Sequence, residues 1–223
     1  MFKKKKELFR DLVILIIPIV VLILAIGYFL YKDVKSIVPD NSSKEEVVDD
    51  AFTISEYDYH LRNNATEFQK TKFKELKDAF SSEVKDDELI AGLVVENFVS
   101  DLYTMTNKTG AHDVGGLYYV YSPQRILYFN DVKQNFYSQL TKLIKEYGND
   151  NLLEVISTSV ETTKSDDIEI DGKTYPNYSV NCNWEYKDST FDTDSFVDKQ
   201  YFQVYKLDNG RFEIFNQVGD ANE

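Results

Sequence analysis

One cysteine, Cys182, and two histidines, His60 and His112, are all that 223 residues offer for covalent bridging, soft-metal ligation and proton shuttling. A lone cysteine excludes an intramolecular disulfide, so stability has to come from packing. Two histidines far apart in sequence match no zinc-ligand spacing. Cys182 itself falls on the apolar side of an alternating run, where a small hydrophobe is its usual role. Basic residues are scarce too, with 25 Lys and Arg against 38 Asp and Glu and a net charge of −13. Nucleic acid and anionic lipid surfaces both require basic patches, which argues against either as a partner. The negative charge serves solubility and implies no ligand. Methionine is rare, at 2, and the apolar area comes instead from 16 Tyr and 15 Phe.

Motifs that carry chemistry are also missing. Gly110 to Gly116 has neither a strand before it, nor a helix after it, nor a Lys-Ser/Thr ending, so it is no phosphate loop. Asp188, Asp192, Asp194 and Asp198 crowd one loop with oxygen ligands of the kind Ca²⁺ takes. That loop lacks the mid-loop Gly and terminal Glu of an EF-hand and reads as solvated. His112-Asp113 becomes a base with its orienting group only if a nucleophile such as Ser122 comes within reach. Sequons at Asn41, Asn64, Asn107 and Asn177 are read as chance in a chain rich in Asn, Ser and Thr. No catalytic residue, cofactor or metal is expected.

What the sequence does contain is an almost unbroken apolar run from Leu12 to Tyr31, with Leu12, Ile17, Val21, Leu24 and Phe29 along it. About 20 such residues at a rise of 1.5 Å span roughly 30 Å of hydrocarbon. Lys3, Lys4, Lys5, Lys6 and Arg10 precede the run, while only Lys32 and Lys35 follow closely, so the N-terminus is expected on the cytoplasmic side. The alternative is a cleaved secretory signal ending near Ala25 and Gly27. A signal's apolar region is typically only about 7–15 residues, and here it continues through Tyr28, Phe29, Leu30 and Tyr31. An uncleaved anchor is the better reading. The expected layout is a basic leader over 1–11, a transmembrane helix over 12–31, an acidic linker with an ambiguous end over 32–63, one domain over 64–218 and a tail over 219–223. Ala51 to Asn63 fits either a short helix or an extended piece.

Within the domain the apolar periodicity predicts helices first. Phe73, Leu76, Phe80 and Val84 mark one between Thr66 and Lys85, and a second starts at Asp86-Asp87 and runs through Leu89, Leu93, Phe98, Leu102 and Met105. After a Gly-rich interruption, Ser122-Pro123 suits a helix start. A single helix is expected from about Asn130 to Tyr147, with Gly148 as its stop. The period then changes to two. Leu153 to Thr163, Tyr178 to Tyr186, Gln200 to Leu207 and Arg211 to Gln217 read as strands, with hairpin turns at Asp171-Gly172 and Asp208-Asn209-Gly210. In the second of these strands Tyr178, Val180, Cys182, Trp184 and Tyr186 share one side, and Asn181, Asn183 and Glu185 the other. If helices cover the Trp184 side, the polar side is wet; in the opposite arrangement it lines a cavity. Apolar content favours the first.

Val95 to Thr106 (VENFVSDLYTMT) as a central helix, Gly116 to Tyr128 (GLYYVYSPQRILY) after it, and the alternating strand Tyr178 to Tyr186 resemble an NTF2-like extracytoplasmic domain behind one N-terminal anchor. The VirB8-like and TcpC-like components of conjugation machines share that layout. The likeness covers roughly Asp86 to Gln217 and lies in order and pattern, with no shared signature motif. It implies a non-enzymatic scaffold in an envelope complex, without cofactor. The expected fold is therefore α+β, an NTF2-like cone of two or three helices on a curved antiparallel sheet of about four strands. The expected partners are the bilayer, other envelope or membrane proteins and a second copy of the chain, with no nucleic acid. The competing expectation is a small-ligand-binding or enzymatic domain whose pocket between helices and sheet is lined by Asn181, Asn183, Glu185 or His112.

Overall fold

A computed structural model describes residues 52–189, 193 and 196–218. The chain divides into two units, Met1–Val47 and Val48–Glu223, and every described residue belongs to the second. The expected anchor (Leu12, Ile17, Val21, Leu24, Phe29), most of the linker, the tail, and Asp192 and Asp194 of the acidic loop lie outside the described residues. Among the described residues no helix is long and apolar enough to cross a membrane.

The ambiguous stretch before residue 64 is part of the fold. Strands β1 (Thr53–Ile54) and β2 (Tyr59–His60) pair as a small antiparallel hairpin. The hairpin drives Tyr57 and Tyr59 into the core, where Tyr57 stacks on Phe80 with ring centres 4.2 Å apart. Two aromatic side chains anchor a piece too short to bury much else.

Helix α1 (Glu67–Ser81) begins where Thr66 and Gln69 cap each other: the Thr66 hydroxyl accepts the Gln69 N–H at 3.3 Å, and the Gln69 side chain accepts the Thr66 N–H at 3.0 Å. Its Phe73, Leu76 and Phe80 recur at helical steps and are all buried. Helix α2 (Asp87–Tyr103) starts at Asp86, whose carboxylate accepts the N–H groups of Glu88 and Leu89, both at 3.1 Å. Thirteen of its 17 residues are buried, because it packs against α1 as well as against the sheet. Close approach to the sheet depends on Gly92, where an added Cβ would lie 2.9 Å from Thr162 Oγ1. The buried polar groups of α2 are answered within the fold: Asn97 donates to Leu93 O and Lys72 O, and Ser100 donates to Asn97 O.

The single helix expected over 130–147 is two. Helix α3 (Arg125–Gln134) and helix α4 (Leu140–Tyr147) are separated by turns over 135–139. Tyr137 causes the break by facing the core, fully buried, its hydroxyl donating to Leu102 O at 2.5 Å and its N–H reaching back to Val132 O at 2.7 Å. A tertiary contact of one phenol outweighs the local periodicity. Gly148 does stop α4, with φ of 76°. The described residues thus hold four helices, one more than the upper end of the expected range.

Strands β3 (Val155–Ile170), β4 (Lys173–Tyr186), β5 (Lys199–Lys206) and β6 (Phe212–Val218) form an antiparallel sheet in that order. The β3–β4 hairpin is longer than expected and closes at Asp171-Gly172, whose φ values of 53° and 77° suit a two-residue turn of the kind that matches strand twist. Its register steps between Ser165 and Ile168, opposite Pro176, a residue that cannot donate to a ladder. On β4, Tyr178, Val180, Cys182 and Trp184 are buried while Asn183 and Glu185 are exposed. The helices therefore cover the Trp184 side. The protein is α+β, with four helices and a four-stranded antiparallel sheet.

Candidate functional site

The covered side of the sheet settles where the four sequence-nominated pocket residues stand. Asn183 and Glu185 face solvent, Asn181 beside them is half-buried, and Glu185 accepts a hydrogen bond from Ser157 at 2.8 Å. His112 is exposed on the Gly-rich loop, near Gly110. None of the four lines either cavity described below. The catalytic arrangement around His112-Asp113 does not form either. Asp113 is committed to Arg62 and Thr109, and the Ser122 hydroxyl donates to Glu213 on β6. Cys182 is buried, and burial pushes its thiol up to about 12, which leaves no thiolate near neutral pH. Among the described residues no three His, Cys, Asp or Glu side chains are grouped to hold a metal.

One cavity, of about 280 Å³, is polar and built on a buried ion cluster. Asp101, near the end of α2, accepts from Arg62 Nε at 2.8 Å, from Lys108 Nζ at 2.7 Å and from the Gly116 N–H at 2.7 Å. Arg62 also donates to Asp113 at 3.1 Å, and Asp113 in turn accepts from the Thr109 N–H at 2.9 Å. Burial alone would raise the Asp101 pKa. The charges of Lys108 and Arg62 and the three hydrogen bonds outweigh it and hold the carboxyl well below the usual range. Asp113 is likewise held low, the charge of Arg62 and the Thr109 N–H overcoming burial. Lys108 is 1% exposed, and burial draws its ammonium down to about 8 against the attraction of Asp101. Asp101, Asp113, Arg62 and Lys108 are thus all paired within the cluster. The cluster clamps the Gly-rich loop onto α2, and Gly115 sits so close that an added Cβ would stand 2.1 Å from Asp101 O.

The other cavity, of about 500 Å³, is mainly apolar and open along one side. The end of α2 supplies Leu102 and Tyr103, and α3 supplies Leu127, Tyr128, Asp131 and Val132. Val120 and Tyr121 come from the segment that joins the edge of β6, with Tyr121 N–H donating to Ile214 O at 2.9 Å and Ile214 N–H to Tyr119 O at 2.8 Å. Ile214 and Phe215 of β6, Gln124, and Phe136 from the break after α3 complete the wall. The chain thus leaves the sheet edge at Tyr121, turns at Ser122–Gln124 and returns as α3, leaving a groove between helix and strand. Glu213 fixes that turn by accepting from the Ser122 N–H at 3.1 Å and the Tyr205 hydroxyl at 2.8 Å. On α3 the apolar Ile126 and Leu127 are 62% and 69% exposed. Two neighbouring aliphatic residues left in water beside an apolar groove are a stronger signal than one scattered leucine.

Comparison of the chain with protein-family models, with curated proteins and with solved structures returns no match. Sequence reasoning passed over Leu127, Asp131, Phe136 and Phe215. The available signal was the RILYF stretch at 125–129, too apolar for one face of a surface helix.

Proposed function

We propose that this protein is a single-pass, membrane-anchored extracytoplasmic component, its NTF2-like domain a non-enzymatic scaffold in an envelope complex of the conjugation or secretion type. The observation that carries the binding role is the groove between α3 and β6, with exposed Leu127 in its wall and exposed Ile126 next to it in the chain. Large apolar surface left in water is costly unless a partner covers it. The anchor rests on the Leu12 to Tyr31 run and its basic leader, and the cone reading on a central helix lying across a long antiparallel sheet. The full chain, solubilised from membranes in detergent, is expected to elute as a discrete complex that Leu127→Asp dissolves. A lone monomer before and after that substitution contradicts the proposal. A second reading, small-ligand binding, is favoured by the groove's size, since drug-sized ligands occupy about 300–1,000 Å³. It no longer involves Asn181, Asn183, Glu185 or His112.

A further inference from the structure

The chemistry of the groove says more about what enters it. Five of its lining residues are aromatic: Tyr103, Tyr121, Tyr128, Phe136 and Phe215. Four of them stand in two edge-to-face pairs, Tyr121 with Phe215 at 5.4 Å between ring centres and Tyr103 with Phe136 at 5.4 Å. Among the described residues Asp131 is the one ionised group in the lining, and no lysine, arginine or histidine lines the groove. Its carboxylate accepts from the Asn135 side chain at 2.6 Å, the one such bond among the described residues, which leaves lone pairs for a further donor. Aromatic faces attract cations through their quadrupole, and a carboxylate among them adds charge and hydrogen-bond acceptors. A chain of net charge −13 also draws cationic partners toward it over longer range.

We infer that the groove receives an arginine side chain of the partner protein, its guanidinium on Asp131 and against the aromatic rings, its methylene stem along Leu127. Arginine fits this lining better than lysine, because a planar guanidinium stacks on rings and binds a carboxylate through two parallel N–H groups. The inference rests on the protein-binding reading above and specifies the partner's chemistry. A purely greasy anchor would leave Asp131 facing apolar groups, at a desolvation cost that an arginine removes.

The test uses the full chain in detergent micelles and three short synthetic peptides that differ only at a central position: arginine, norleucine or glutamate. Fluorescence anisotropy is expected to show the arginine peptide binding about tenfold more tightly than the norleucine peptide, with the glutamate peptide weakest. Asp131→Asn should weaken the arginine peptide and relieve the desolvation cost that the norleucine peptide pays, so that the gap between the two closes. Asp131 is exposed, so this variant keeps the fold. Equal binding of arginine and norleucine peptides, indifference to Asp131→Asn, or no binding by any of the three overturns the inference. If the Leu127-dependent complex persists through such a failure, the protein-binding reading stands and only the arginine is lost. If that complex is absent as well, both fall.

Discussion

Helices α2 and α3 are both rich in apolar residues, yet they meet opposite fates. Helix α2 buries 13 of 17 residues and answers its internal polar groups, while α3 buries only Val132 and leaves Ile126 and Leu127 in water. Neighbours decide the difference. Helix α2 lies between α1 and the sheet, whereas α3 meets the fold through buried Val132 and through Tyr128, which touches Phe98 and donates to Gly115 O, and it leaves a groove toward β6. Apolar content alone does not say that a helix is core; on α3 it leaves aliphatic side chains in water.

The comparison is sharpest in the substitutions it separates. Removing Asp101 leaves the buried Lys108 ammonium without its carboxylate and takes an acceptor from Arg62 and the Gly116 N–H, so Asp101→Ala is expected to cost about 3–5 kcal/mol, read by urea unfolding. Phe98→Ala, on the buried face of α2, should cost about 3–5 kcal/mol. Gly115→Ala forces a Cβ toward the Asp101 carbonyl and is expected to cost about 1–3 kcal/mol. At the other end, Leu127→Ala should move stability by no more than about 0.5 kcal/mol. A Leu127→Ala loss as large as that of Phe98→Ala would erase the distinction between the two helices.

The ion cluster gives a dependence on pH with a definite sign. Asp101 and Asp113 have folded pKa values below the ordinary 3.8, so the stability they contribute is full above that value. It is lost as pH falls below it toward their folded values. Lys108 works the other way. Its folded value of about 8 lies below the ordinary 10.5, so the unfolded chain binds the extra proton and stability rises as pH climbs from about 8 toward 10. Urea midpoints measured across these windows should fall in acid for the parent protein. The alkaline rise should flatten in Lys108→Met.

Much of the scaffold was legible in the sequence, and for a common reason. Phe73, Leu76 and Phe80, the Asp86 start of α2, and the alternation from Tyr178 to Trp184 are local patterns set by one buried face. Strand β3 runs seven residues past the expected end at Thr163: Thr163 to Ile170 is nearly all polar and shows no core face, and its pairing to β4 keeps it extended. The break at 135–139 was hidden because it depends on Tyr137 finding Leu102, 35 positions back. The groove was hidden for the same reason: Leu102, Val120, Leu127 and Ile214 are neighbours only after the chain has turned at Ser122 and met the β6 edge. Asn181, Asn183 and Glu185 misled because a strand's polar side looks the same whether it lines a cavity or faces water.

The account turns on the claim that the α3–β6 groove is a docking surface, and site-specific photocrosslinking of the full chain in living cells tests it most directly. A photoreactive phenylalanine at position 127 is expected to give a discrete heavier adduct. The same group at position 84, where Val84 is 83% exposed and is not part of the groove lining, should give none. Equal labelling from both positions, or none from 127, would contradict the claim.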